Sequence, residues 1–161
     1  MTNSKLTHVD EQGRVQMVDV SDKAETERVA VARAQLRCSS ATRDAIVGGT
    51  LKKGEALAAA RVAGILAAKR TGELIPLCHT LPLTDVQVGF TPVADGISIE
   101  ALAKTIARTG VEMEALVACS VAGLVLYDMA KAVERGMVLD QVRLVEKRGG
   151  RSGQWRRDGE P

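Results

Sequence analysis

The sequence predicts an α+β domain: a four-stranded antiparallel sheet with two main helices on one face, in the order βαββαβ. Three observations predict it. Four segments alternate apolar or small residues with polar ones at period two, the pattern of half-buried strands. Two longer segments carry apolar residues at helical spacing. A chain of 161 residues has room for one core and little more, so these elements are expected to share it.

Taken in order, residues 1–16 read as a loose N-terminus ahead of "MVDVSDKAET", Met17 to Thr26. "ARAQLRC", Ala32 to Cys38, is the first strand. "SSATRDAIVGG" is a short helix beginning after Ser39 or Ser40 and stopped by Gly48 and Gly49. "KGEALAAARVAGILAAKRTG" places Leu57, Ala60, Arg61, Gly64, Ile65 and Ala68 at helical spacing, with Gly72 as its terminator. Val86, Val88 and Phe90 alternate, as do Ile97, Ile99, Ala101 and Ala103, and "TPVADG" between them makes a hairpin. "TGVEMEALVACSVAGLVLYDMAKAVERG" is the longest helix, closed by Gly136. "DQVRLVEK" is a last strand through Val142, Leu144 and Glu146. The order is that of a ferredoxin-like domain. One domain over residues 1–161 is expected, with residues 148–161 a flexible Gly/Arg-rich tail.

Composition narrows the function. A formal charge of +2 does not mark a nucleic-acid surface, and one Trp, one Tyr and one Phe give no platform for stacking bases. The core must then be built from Ala, Val, Leu, Ile and Met, so each residue buries little area and association into an oligomer would add stability. Cys38, Cys78 and Cys119 are scattered, which with no secretory signal predicts reduced thiols in a cytoplasmic protein. The longest apolar run, Ala115 to Tyr127, holds Ser120 and is too short for a bilayer span. No metal-ligand spacing, Walker loop or GxSxG motif occurs.

What remains is a small set of chemical groups. Thr109 and Glu112 have capping-box spacing, and Glu112 and Glu114 fall in the first turn of the long helix, where its dipole favours negative charge. That helix is apolar all round, so charges at its ends border packed protein. Asp128 and Lys131, near the other end, are three apart and share a face, as an ordinary surface pair or as an acid–base pair. Glu114 and Asp128 are separated by roughly 21 Å along a straight helix, so a single nucleotide-sized ligand touching both implies two chains at one site. Lys52 and Lys53 enter a helix at its positive end, where an anion would relieve them; Lys69 and Arg70 suit a helix C-terminus. "GELIPLCHTLPL" holds His79 between Pro76 and Pro82 in an apolar run, either a satisfied core imidazole or a rigidly held ligand contact. In "EKRGGRSGQWRR", glycine backbone alternates with Lys147, Arg148 and Arg151, which suits either a phosphate-rich ligand or a frayed basic tail.

The segments "LTHVDEQGRVQMVDVSDKAET", "KKGEALAAARVAGILAAKRTGELIPLCHTLPL", "TGVEMEALVACSVAGLVLYDMAKAV" and "VRLVEKRGGRSG" resemble the cyclic pyranopterin monophosphate synthase family, from Leu6 to about Gly153. The resemblance implies a ferredoxin-like subunit in a hexamer, a trimer of dimers with sites at dimer interfaces. It implies conversion of 3′,8-cyclo-7,8-dihydro-GTP, made from GTP by a radical S-adenosylmethionine enzyme, to cyclic pyranopterin monophosphate and pyrophosphate. This is a lyase step of molybdenum-cofactor biosynthesis. By the same resemblance, the active-site aspartate falls on Asp128, with Lys131 beside it and Lys53 as a further acid–base candidate. Leu77, Cys78, His79, Met113 and Glu114 match substrate-binding positions. Lys53, Lys69, Glu112, Lys147 and Arg28 match other polar positions of the pocket. A lysine crowded by cations is expected to have a lowered pKa. No cofactor is firmly implied; magnesium is plausible with the triphosphate.

Thr80 stands where the family commonly has proline, and Arg108 and Arg151 where it has lysine. The other reading of the chain is a non-catalytic, nucleotide-sensing regulatory module of the same fold. An RNA-binding domain would need sheet aromatics, and Phe90 alone does not provide them.

Overall fold

A computed structural model of the chain describes residues 12–160. The expectation for residues 1–11, and the part of the family resemblance that falls there, lie outside the described residues. The elements are β1 (Thr26–Arg37), α1 (Ser40–Val47), α2 (Ala56–Lys69), α3 (Thr71–Leu74), β2 (Leu83–Val93), β3 (Gly96–Ala107), α4 (Glu112–Ala130), β4 (Val138–Arg148) and β5 (Trp155–Arg156).

The sheet is antiparallel in the order β2-β3-β1-β4-β5. Among the described residues it has five strands, not the expected four: the tail after Arg148 turns back and pairs Trp155 with Lys147 and Arg156 with Glu146. A run of glycines and arginines carries no period-two pattern, so nothing in the sequence announces this strand. The hairpin of β2 and β3 is tighter than the expected turn, because Pro92 lies within β2. As β2 is an edge strand, the missing N–H is tolerated there.

One face of the sheet is lined by small residues. Ala30, Ala32 and Ala34 of β1 and Ala101 and Ala103 of β3 are buried, and α4 lies across β1, β3 and β4 with α2 beside it. Small side chains let backbones approach. A Cβ on Gly64 of α2 would sit 2.9 Å from the Ala118 carbonyl of α4, and one on Gly123 would strike the Leu139 side chain. The aromatic-poor composition thus becomes close helix–helix and helix–sheet packing.

Several local expectations are corrected. Gly72 does not end α2; Arg70 caps it, and Gly72 lies inside α3. The capping box does not form: Val111 is the N-cap without a side-chain bond, and the Glu112 carboxylate is taken by Lys147 instead. α4 stops at Ala130, short of Gly136, because the Val133 N–H bonds Ala130 O and Tyr127 Oη donates to Arg135 O, closing a turn. On β4, Val142 is 41% exposed while Val145 is 3% exposed. Two register shifts against β1, with Gln141 at φ 52°, reverse the simple alternation.

Nor is α4 buried all round, since Leu124 is 58% exposed. By length and composition α4 would suffice to cross a membrane, contrary to the reading of its apolar run. Its packing on the sheet and α2 buries half of that segment in the core.

Candidate active site

The first turn of α4 is where most of the candidate residues meet. Its unpaired N–H groups and dipole favour the two carboxylates of Glu112 and Glu114. Glu112 accepts a 3.0 Å bond from Lys147 Nζ of β4, both side chains being half-buried. Gly110 makes room for this, since a Cβ there would collide with the Glu112 carboxylate.

Around the pair lies a cleft of about 690 Å³. Among the described residues, Lys23, Arg28, Arg108, Lys147, Arg148 and Arg151 line it against Asp22 and Glu112 as acids, so its field favours anions. Arg28 is oriented by donating Nε to Ala107 O (3.2 Å) and Nη2 to Arg108 O (3.3 Å). The Gly149–Gly150 pair closes on this wall at positive φ, 102° and 75°. A Cβ on Gly149 would strike the Glu27 carbonyl, and one on Gly150 the Arg28 guanidinium. Only glycine allows the turn to lie that close.

A smaller pocket of about 290 Å³ adjoins it, and Lys23, Thr109, Gly110 and Glu112 line both. Its other walls include Leu77, Cys78, His79, Met113 and Glu114. The His79 segment is fixed by the Cys78 N–H on Ile75 O (3.0 Å) and by contact of α3 with Thr80, where a Cβ on Gly72 would lie 2.9 Å from Oγ1. Glu114 is 3% exposed. Burial raises its pKa from 4.5 to about 7; a backbone hydrogen bond opposes the rise and the neighbouring Glu112 charge adds to it. Burial, then the Glu114 charge, also raises the Cys78 thiol.

Asp128, Lys131 and Lys53 form a separate group at the far end of α4. Asp128 Oδ1 is 2.7 Å from Lys131 Nζ, and Oδ2 is 2.6 Å from Lys53 Nζ. Hydrogen bonds from Lys131 and then Lys53 hold the Asp128 carboxyl down to about 2. The anion expected to relieve Lys53 at the entrance to α2 is therefore Asp128. The expected lowering of a lysine pKa is not found at Lys131: its pKa is raised, first by the hydrogen bond to Asp128 and then by that charge. Lys69 joins neither group and sits beside Thr84 and Asp85 in a shallow hollow.

The structure therefore brings Leu77, Cys78, His79, Glu112, Met113, Glu114, Lys147 and Arg28 together and leaves Asp128, Lys131, Lys53 and Lys69 apart from them in this chain. Sequence reasoning missed Lys23, Asp22 and the Val18–Val20 stretch. They belong to the segment before β1, where no periodic pattern singles out a residue. Among the described residues, no group of three or more His, Cys, Asp or Glu side chains is placed to hold a metal ion.

In this antiparallel α+β domain a cationic cleft thus adjoins a carboxylate- and histidine-lined pocket, an arrangement that suits an anionic small molecule. The family profile described as MoaC family matches residues 17–150. A protein named cyclic pyranopterin monophosphate synthase from Novosphingobium aromaticivorans is 59% identical over 151 residues, covering 94% of this chain and 96% of its own. Proteins of that name from Thermomicrobium roseum and a Nostoc species are each 57% identical, over 96% and 95% of this chain and 95% and 92% of theirs. The chain belongs to the MoaC family.

Proposed function

We propose that this chain converts 3′,8-cyclo-7,8-dihydro-GTP to cyclic pyranopterin monophosphate with release of pyrophosphate, as a lyase of molybdenum-cofactor biosynthesis. The observation that carries the reading is the junction at Lys23, Thr109, Gly110 and Glu112. There a cationic cleft and a carboxylate-lined pocket share one wall, in a chain whose relatives bear that enzyme's name.

A triphosphate suits the cleft lined by Arg28, Lys147, Arg148 and Arg151, and the purine-derived ring suits the pocket with His79, Met113 and Glu114. Rebuilding the ring requires protons to move on and off nitrogen and oxygen. Glu114, with its pKa near 7, is matched to such transfers at neutral pH. Closure of the cyclic phosphate forms a bond from a sugar-derived hydroxyl to the α-phosphorus and breaks the bond to the departing pyrophosphate. Cations at the β- and γ-phosphates stabilise the charge that develops as it leaves.

Asp128 with Lys53 and Lys131 enters from a second subunit. One chain spaces Glu114 and Asp128 by roughly 21 Å, too far for one substrate of this size. We therefore read the active unit as a dimer of composite sites within a hexamer, each subunit a ferredoxin-like core with β5 as an edge addition. The protein works in the cytoplasm downstream of the radical S-adenosylmethionine enzyme. Magnesium enters as the counter-ion of the triphosphate, and not as a resident metal.

The test is a coupled assay with GTP, the upstream radical enzyme and this protein, following pyrophosphate and the oxidised, fluorescent pterin. Both products are expected, and both are lost with Asp128→Ala. Accumulation of unchanged intermediate with folded protein present would leave the regulatory module as the better reading.

A further inference from the structure

Little in β5 itself explains why it stays on the sheet. It pairs only two residues with β4, and so short a ladder is marginal alone. The turn leading to it contains Gly149, Gly150 and Gly153, all at positive φ, and glycine loses the most backbone freedom on being ordered.

What fixes the arm lies beyond β5. The Glu160 side chain is 9% exposed and bridges two arginines of the sheet. Its Oε2 accepts from Arg33 Nη1 at 2.8 Å, and its Oε1 accepts from Arg143 Nε. Both guanidinium groups are oriented independently of Glu160: Arg33 Nε donates to Glu100 at 2.7 Å, and Arg143 Nη1 to Gln141 O at 2.8 Å. Charge-assisted bonds to pre-oriented, half-buried arginines are the strong kind. Arg157 adds its N–H to Val145 O and its Nε to Leu144 O, each at 2.8 Å. At the near end of the same arm, Gly149, Gly150, Arg151 and Ser152 form one wall of the anion cleft.

We propose that Glu160 is a positioning residue: its clasp on Arg33 and Arg143 anchors the C-terminal arm so that the Gly149–Ser152 turn stays closed on a polyphosphate in the cleft. Glu160 itself touches no ligand. It acts through the arm, by keeping Arg151 and the turn's backbone N–H groups where the phosphates lie. The inference rests on reading the cleft as the triphosphate site.

The probe is inorganic triphosphate, titrated by calorimetry into the wild-type protein, Glu160→Ala, Glu160→Gln and Glu160→Asp, with amide hydrogen exchange measured on the same samples. Glu160→Ala is expected to raise the Kd about five- to tenfold. It is also expected to speed exchange in residues 149–157 while leaving β1 and β3 amides protected. Glu160→Asp recovers part of both effects, and Glu160→Gln, which keeps size and an acceptor, serves if the alanine variant does not fold. In turnover, KM for the cyclised dihydro-GTP rises and kcat falls as well, because Arg151 also faces the charge that develops on the departing pyrophosphate. Unchanged exchange in the arm overturns the anchor, and faster exchange with unchanged Kd overturns its link to the cleft. Wild-type protein that fails to bind triphosphate overturns the proposal and the cleft reading together. Binding that follows the expected pattern in a protein without synthase turnover overturns only the assignment of activity.

Discussion

Lys53 holds Asp128 twice, with Nζ 2.6 Å from Oδ2 and 3.0 Å from the backbone carbonyl. The contact ties the chain just before α2 to the last turn of α4. Lys131 takes the other carboxylate oxygen at 2.7 Å. An Asp128→Asn amide cannot carry the charge that gathers two ammonium groups. Its pyrophosphate release is expected to fall at least about a hundredfold, the scale of a lost acid–base group. Because all three side chains are about half exposed, thermal unfolding should shift little. A large loss of stability with normal turnover would make the trio a structural tie.

Glu114 gives a prediction with a definite sign. Its folded pKa is raised from 4.5 to about 7, so across that interval the folded chain keeps a proton that the unfolded chain has released. Glu114 therefore costs no stability below about pH 4.5. The cost grows as pH rises and is complete above about pH 7, on the order of 3 kcal/mol for a buried carboxyl. Glu114→Gln should remove that slope. Urea unfolding of both proteins at pH 5 and pH 8 reads it directly, with the variant gaining more on wild type at the higher pH.

Gly64→Ala tests the close packing of α2 on α4. Alanine favours a helix by about 1 kcal/mol over glycine. The new Cβ would lie 2.9 Å from the Ala118 carbonyl, 3.2 Å from Val88 Cγ2 and 3.3 Å from Ala122 Cβ. Overpacking against backbone costs about 1–3 kcal/mol and can only be relieved by moving a helix. A net loss of up to about 2 kcal/mol in denaturant unfolding is expected; a gain would show that the helices separate freely.

Much of this was legible in the sequence. Ile97, Ile99, Ala101 and Ala103 alternate into the core as their period indicates, and Ser39 caps α1 through the Thr42 N–H. Val145 was not legible as the buried residue of β4, because a bulge is a property of two strands in register. Within the site, the spacing of Glu114 and Asp128 already required two ends and suggested two chains. Lys23 and the fold-back of Glu112 onto Lys147 depend on which segments meet at the start of α4, and no local pattern encodes that meeting. Glu160 was hidden for the same reason: its partners lie on β1 and on β4.

Subunit mixing measures the composite site most directly. Asp128→Ala and His79→Ala proteins, each inactive alone, are unfolded together, refolded and assayed for pyrophosphate release, with mixed oligomers verified by mass. If His79 of one chain works with Asp128 of another, random pairing restores about a quarter of wild-type activity, because half the dimers carry one intact site of two. Mixed oligomers no more active than the separate variants would contradict a site shared between chains.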